Sequence, residues 1–170
     1  MFFCRVTKYD PKNRDSNGIY LRDEWTFYAQ IGTVVEGKVF TYAEYLTAEN
    51  AYVAALILFM ECNNLESLQI VNLENNLKFK KDVYLSKEMV TLLKKIREVV
   101  SVNKTEVDLL TRLILREKLW CIFASKAMAV RFGWDYYMYI GSVNKCVKGI
   151  QKIEKKGLFV EECDSSYLDA

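Results

Sequence analysis

The chain of 170 residues contains no histidine. That absence removes the commonest general base and the commonest metal ligand in one step. Proline is nearly missing as well: Pro11 stands alone beside seven glycines, too few breakers for flexible linkers between domains. No CxxC pair exists among Cys4, Cys62, Cys121, Cys146 and Cys163. A zinc site needs clustered ligands, so no metal is expected. The apolar run from Tyr52 to Met60 is too short to span a bilayer. Arg5 and Lys8 interrupt any secretory apolar region near the start. No G-x-x-x-x-G-K-[ST], G-x-G-x-x-G or G-x-S-x-G motif occurs, which leaves no phosphate cradle, dinucleotide fingerprint or nucleophile elbow. A net charge of only +2 gives the whole molecule neither a nucleic-acid binder's footprint nor that of an acidic mimic.

What remains is a hydrophobic fraction of 51% and an aromatic fraction of 14%, the composition of one ordered globule spanning residues 1–170. Scattered, apolar-flanked cysteines read as small buried hydrophobes in a reduced, cytoplasmic setting.

Phe2 to Tyr9 reads as an opening strand, followed by a turn-rich loop from Asp10 to Gly18. Tyr20 to Gly37 fits either a strand or a short helical turn. Thr41 and Glu44 form a T-x-x-E capping box that starts a helix over Tyr42 to Cys62. From Ala51 to Met60 that helix is apolar on every side, which places it at the centre of the domain. Leu68 to Leu73 is a strand, with a weaker one around Leu77 to Phe79. Ser86 caps a helix through Val99 with Met89, Leu92, Leu93, Ile96 and Val100 inward, leaving Lys94, Lys95 and Arg97 solvated. Thr105 with Asp108 caps the next, ending near Arg116. Lys118 to Ala124 reads as a central strand covered on both sides. Ala127 to Phe132 and Asp135 to Ile140 form a hairpin, with Gly133-Trp134 as a type II′ turn. Asn144 caps a short helix with Val147, Ile150 and Ile153 inward, Gly157 stops it, and Leu158 to Cys163 is the last strand. Consecutive strands favour antiparallel pairing. The expected class is therefore α+β: a mainly antiparallel sheet against one central apolar helix and several shorter ones.

No catalytic constellation can be named. The doublets Asp23-Glu24 and Glu161-Glu162 are acid pairs by type, but neighbours on a strand point to opposite faces. Basic residues interleave with rings at Arg5 to Tyr9 and at Val130 to Phe132, as on a single-stranded nucleic-acid platform, although acids around them balance the charge. The remaining signal is acidic and aromatic. Asp23, Glu24, Asp135, Tyr137, Tyr139, Glu161 and Glu162 supply rings of the kind that fill interface centres and acids that steer a basic partner. If Met138 and Ile140 face inward, Tyr137 and Tyr139 must lie on the opposite face.

Five segments carry a resemblance: Arg5 to Lys12, Asp23 to Thr26 with Ile31-Gly32, Leu115 to Cys121, Phe132 to Gly141, and Gly157 to Glu162. Together they resemble the CdiI-like immunity proteins of bacterial contact-dependent inhibition and related polymorphic toxin systems, and the similarity covers nearly the whole chain. The resemblance implies a cytoplasmic, non-catalytic inhibitor without cofactor that binds one cognate ribonuclease toxin domain and blocks its access to RNA. It implies no membrane and no nucleic acid as partner. The alternative is a nucleic-acid-binding or regulatory protein without enzymatic activity.

Overall fold

The computed structural model describes residues 1–75, 82–97, 100–133 and 135–165. In chain order the elements are β1 (Phe2–Thr7), 3₁₀ turns at Pro11–Asn13 and Tyr28–Gln30, β2 (Val34–Val35), β3 (Lys38–Val39), α1 (Tyr42–Cys62), β4 (Ser67–Asn75), α2 (Lys87–Lys95), β5 (Ser101–Asn103), α3 (Lys104–Leu115), β6 (Leu119–Ala124), β7 (Met128–Phe132), β8 (Tyr137–Ser142), α4 (Val147–Glu154) and β9 (Phe159–Glu162). Seven of the strands make one sheet, ordered β5-β4-β6-β7-β8-β1-β9, with every neighbouring pair antiparallel. The fold is α+β. The ambiguous Tyr20 to Gly37 stretch resolves into a 3₁₀ turn and the first strand of the separate β2–β3 ribbon.

Period-two alternation decides which side of the sheet is sealed. Cys4 and Val6, Leu68 and Ile70, Cys121 and Phe123, Met128 and Val130, and Met138 and Ile140 all face the helices and are buried. Their neighbours along each strand face away. The sequence predicts cover on both sides of β6. It does run centrally, but Trp120, Ile122 and Ala124 are only half-buried between the buried Leu119, Cys121 and Phe123. Its second apolar face belongs to the open side of the sheet rather than to an inner layer.

α1 starts as its sequence demands. The Glu44 amide donates to Thr41 Oγ1 (3.2 Å), and the Thr41 amide donates back to the Glu44 carboxylate (2.7 Å). Ala55, Leu56, Phe59 and Met60 are fully buried. One stripe departs from the expectation of cover on every side: Ala54, Ile57 and Leu58 are half-exposed.

Four local details differ from the sequence-based expectations. α3 is capped by Asn103, whose side chain accepts from the Glu106 amide at 3.0 Å, not by Thr105; Asp108 instead holds Arg112 at 2.6 Å. α2 begins at Ser86 as expected but stops at Lys95, and Val100 is exposed; the predicted end at Val99 lies outside the described residues, as does the strand around Leu77 to Phe79. α4 follows Cys146, which takes a left-handed conformation, while Asn144 donates to the Cys62 carbonyl; Ile153 is buried, and Val147 is exposed. The β7–β8 hairpin forms, but not through a two-residue turn. Gly133 N–H donates to the Tyr137 carbonyl, so the connection runs over 134–136, with Asp135 and Tyr136 both left-handed (φ 59° and 62°). The longer loop lets Tyr136 swing into the core, where its hydroxyl donates to the Leu115 carbonyl at 2.7 Å. Trp134 itself is outside the described residues.

The cysteines divide. Cys4 and Cys121 are buried free thiols, as expected, whereas Cys62 and Cys146 form a disulfide across 84 residues, tying the end of α1 to the start of α4. Closing a loop of that length removes much unfolded-chain entropy. A reductant should therefore lower unfolding stability by about 2–4 kcal/mol, read by urea denaturation with and without dithiothreitol, and Cys62→Ser should abolish the difference.

A second stability element is ionic. Glu49 is fully buried in α1 and receives Arg116 through two nitrogens (2.6 and 2.8 Å), Arg112 at 2.9 Å and the Tyr45 hydroxyl at 3.0 Å. Glu49→Ala leaves the buried Arg116 guanidinium without its carboxylate, while Arg112 keeps Asp108, and should cost about 3–5 kcal/mol by the same denaturation assay. Glu49→Leu with Arg116→Met, which removes both charges of the buried pair, should lose much less.

Candidate functional site

The side of the sheet away from the helices carries a row of side chains across six strands. Its register is Val71–Ile122–Arg131–Tyr139–Arg5–Glu161, running from β4 to β9. Because Met138 and Ile140 are buried, Tyr137 and Tyr139 do share this face, half-buried, with ring centroids 6.5 Å apart. Gly133 makes room for them. A Cβ there would stand 3.0 Å from the Tyr139 ring, closer than such contacts normally come.

Around Tyr137 the rings and charges interlock. Arg5 lies 5.0 Å from its ring centroid, and Tyr9 packs between Tyr137 (5.5 Å) and Tyr20 (4.9 Å). Glu161 accepts from Arg5 Nε (3.2 Å) and Nη2 (3.1 Å) and from Arg14 Nη1 (2.6 Å). The Asp10 to Gly18 loop brings Arg14 there. Asp10 caps its 3₁₀ turn, and Arg14 pairs with Tyr20 in an isolated bridge. Beside this cluster Lys8 sits over the Tyr9 and Trp25 rings, at 4.0 and 4.3 Å, and bonds Glu24 at 3.1 Å. Tyr20 donates to the other Glu24 oxygen.

Burial governs the protonation of this cluster. It lowers the Lys8 ammonium from 10.5 to about 8, overriding the neighbouring Glu24 charge that favours the cation. Burial first, and the hydrogen bond to Glu24 second, push Tyr20 up to about 12. Tyr9 is raised further by burial, with Asp135 adding charge repulsion. Burial works against the Arg14 charge, but the bonds and charge of Glu161 outweigh it and hold that guanidinium above its ordinary value.

The seven residues singled out by sequence do not form one acidic patch. Tyr137, Tyr139 and Glu161 come together, and Glu24 joins them through Tyr20 and Tyr9. Glu162 does not: it neighbours Cys4 across the strands, on the helix side, and pairs with Lys145. Asp23 is exposed in its loop, and Asp135 is exposed at the hairpin tip. Glu161 and Glu24 are neutralised by Arg5, Arg14 and Lys8, so the acids left open to a partner are Asp135 and Asp23. Lys8, Tyr9, Arg14 and Tyr20 lie outside the sequence-based selection. Lys8 and Tyr9 fall within its basic and aromatic run, but nothing local marks Arg14, whose partner is 147 residues away. Among the described residues no group of three or more Cys, Asp or Glu side chains is arranged to hold a metal.

No protein-family model, curated protein or solved structure matches the chain. The geometry therefore carries the functional argument alone. No helix is long and apolar enough to cross a membrane among the described residues.

The Lys8 site gives a pH signature. Between about 8 and 10.5 the unfolded chain binds the proton that folded Lys8 has released, so Lys8 contributes stability that rises with pH there, while the buried Cys4 and Cys121 thiols and the raised tyrosines ionise first in the unfolded chain and pull the other way. The stability of the parent less that of Lys8→Met should therefore rise by on the order of 2 kcal/mol from pH 8 to 10. Urea denaturation of both proteins at each pH measures that difference.

Proposed function

We propose that this chain is a non-catalytic inhibitor of a toxin nuclease domain, acting in the cytoplasm as an immunity protein. Its contact surface is the open sheet face around Tyr137 and Tyr139, together with the hairpin tip at Asp135. The observation that carries the reading is the pairing of a rigid ring cluster with an exposed acid beside it: Tyr9, Tyr137 and Tyr139 are held in ring contact, and Asp135 projects from the adjoining turn. A ribonuclease draws RNA phosphates into a basic cleft. An inhibitor covering that cleft needs acids next to flat side chains that lose little entropy when fixed.

The internal ion pairs sharpen the assignment of roles. Glu161 and Glu24 are occupied by cations of the same chain, so they stiffen the surface, while Asp135 and Asp23 meet the partner. Glu162, on the helix side of β9 and paired with Lys145, lies off this surface. The Cys62–Cys146 disulfide sets a condition on a cytoplasmic role, because thiols there are kept reduced. The fold must survive with both cysteines as thiols.

A standard interface buries roughly 1,600 Å² in total, and a few central residues dominate its energy. Asp135→Asn, which tolerates the left-handed backbone, combined with Tyr137→Ala should cost about 2–4 kcal/mol of binding, mainly through faster dissociation. Asp23→Asn should mostly slow the salt-dependent association. Co-expression of the toxin domain with each variant, scored by survival and by affinity, tests this. A folded double variant that protects as well as the parent rejects the surface. RNA recovered with the protein from cells lacking any such toxin favours the nucleic-acid-binding alternative, for which Arg5 and Arg131 beside Tyr137 and Trp120 supply cations and rings.

A further inference from the structure

The stripe of α1 that stays half-exposed forms the floor of a groove. Val53, Ala54, Ile57 and Leu58 line its base, α3 contributes Asp108 and Arg112 to one wall, and Lys152, Lys155 and Lys156 stand on the other, in α4 and just beyond its end. Its volume is about 600 Å³. Ala54, Ile57 and Leu58 follow the i, i+3, i+4 spacing of a single helix face, and α1 has no polar residue between Ala51 and Met60 to suit that face to water. The wall charges are one-sided. Asp108 is held by Arg112, and Arg112 in turn reaches Glu49. Lys152, Lys155 and Lys156 are exposed and make no ion pair or side-chain hydrogen bond with a described residue. Glu61 is the one lining acid that no described cation holds.

We infer that this groove docks an acidic amphipathic helix of a partner protein, its apolar face on Ile57 and Leu58 and its carboxylates against the three lysines. Helix-in-groove recognition needs an apolar floor and flanks of opposite charge, and both are present here. The site is separate from the open sheet face, since it lies within the helix layer on the other side of the sheet. Its sign is also wrong for a basic nuclease cleft, so it serves a second partner, and its fate is independent of the inhibitor reading.

The probe is a fluorescent helical peptide of about 14 residues, close to four turns, with Leu at three- and four-residue spacing and Glu on both flanks. A matched peptide carries Lys on the flanks instead. Anisotropy titrations against the full chain should show saturable binding of the Glu peptide that weakens with salt, and much weaker binding of the Lys peptide. The triple variant Lys152→Glu, Lys155→Glu and Lys156→Glu should weaken the Glu peptide about tenfold or more, and Leu58→Glu should abolish its binding. Circular dichroism verifies that both variants fold; the three lysines are exposed, so the triple variant reads the site even if Leu58→Glu does not. Equal binding of both peptides, no saturable binding of the Glu peptide, or an unaffected triple variant overturns the inference. Sedimentation that reveals a dimer lost on Leu58→Glu assigns the groove to a second copy and overturns it too. Lysine-dependent capture on phosphatidylglycerol vesicles, without peptide binding, does the same in favour of a lipid surface.

Discussion

A fully buried carboxylate is tolerable only where cations and hydrogen bonds surround it, and Glu49 imposes that condition on everything nearby. Its partners are Arg112 in the last turn of α3 and Arg116, four residues on at that helix's C-terminal cap, and Tyr45 sits one turn before it on α1, so the two helices are tied together at this point. Arg116 goes further. It donates to the Tyr84 carbonyl at 2.6 Å and reaches the Tyr42 hydroxyl at 3.3 Å, which ties the segment leading into α2 to the start of α1. With α1 and α3 fixed, one side of the sheet is closed and the other is left to side chains from the strands and the Asp10 to Glu24 loop. Replacing such ions by a well-packed hydrophobic isostere is often neutral for stability, so the cluster is not retained as a source of net stability alone.

The two sides of the sheet use aromatic residues in different ways. On the helix side Tyr45, Tyr52 and Tyr136 are buried and send their hydroxyls to a carboxylate or a carbonyl, as buried phenols usually do. On the open side Tyr137 and Tyr139 remain half-exposed, and charge comes to them from Arg5 and Glu161. Glu161 is one carboxylate shared by Arg5 and Arg14, so ion pairing inside the chain offsets only part of the positive charge there. The acids of this neighbourhood that stay exposed are therefore those at the hairpin tip and in the Asp23 loop, away from the centre.

Local signals were legible and remote pairings were not. The Thr41–Glu44 box, the Ser86 cap and the alternation through β7 and β8 each operate within a few residues, and each appears where the sequence puts it. Glu49 looks from sequence like an ordinary polar residue in the first half of α1, because its partners lie 63 and 67 residues away. The same holds for Glu161 with Arg14, and for Cys62 with Cys146. The α3 cap moved from Thr105 to Asn103 for a local reason: two overlapping x-x-acid spacings compete there, and β5 fixes the backbone at Asn103 in the extended form a cap requires. In the candidate site, the face of Tyr137 and Tyr139 followed from alternation alone. Which acids stay open to solvent depended on distant cations.

The hairpin tip shows how the core side of the fold sets up the open one. Two successive left-handed residues that are not glycine cost about 1–2 kcal/mol each, and Asp135 and Tyr136 both adopt that conformation. Tyr136 accounts for it. Its hydroxyl bonds the Leu115 carbonyl, its own carbonyl accepts from Tyr52, and its ring packs edge-on against Trp25 at 4.8 Å. These buried contacts offset the backbone strain and leave Asp135 no inward direction. The acid is therefore presented by a turn whose conformation is set from the core. A group fixed in that way would give up little freedom to a partner, which is the physical reason the proposed contact is placed at this tip rather than at the internally paired acids.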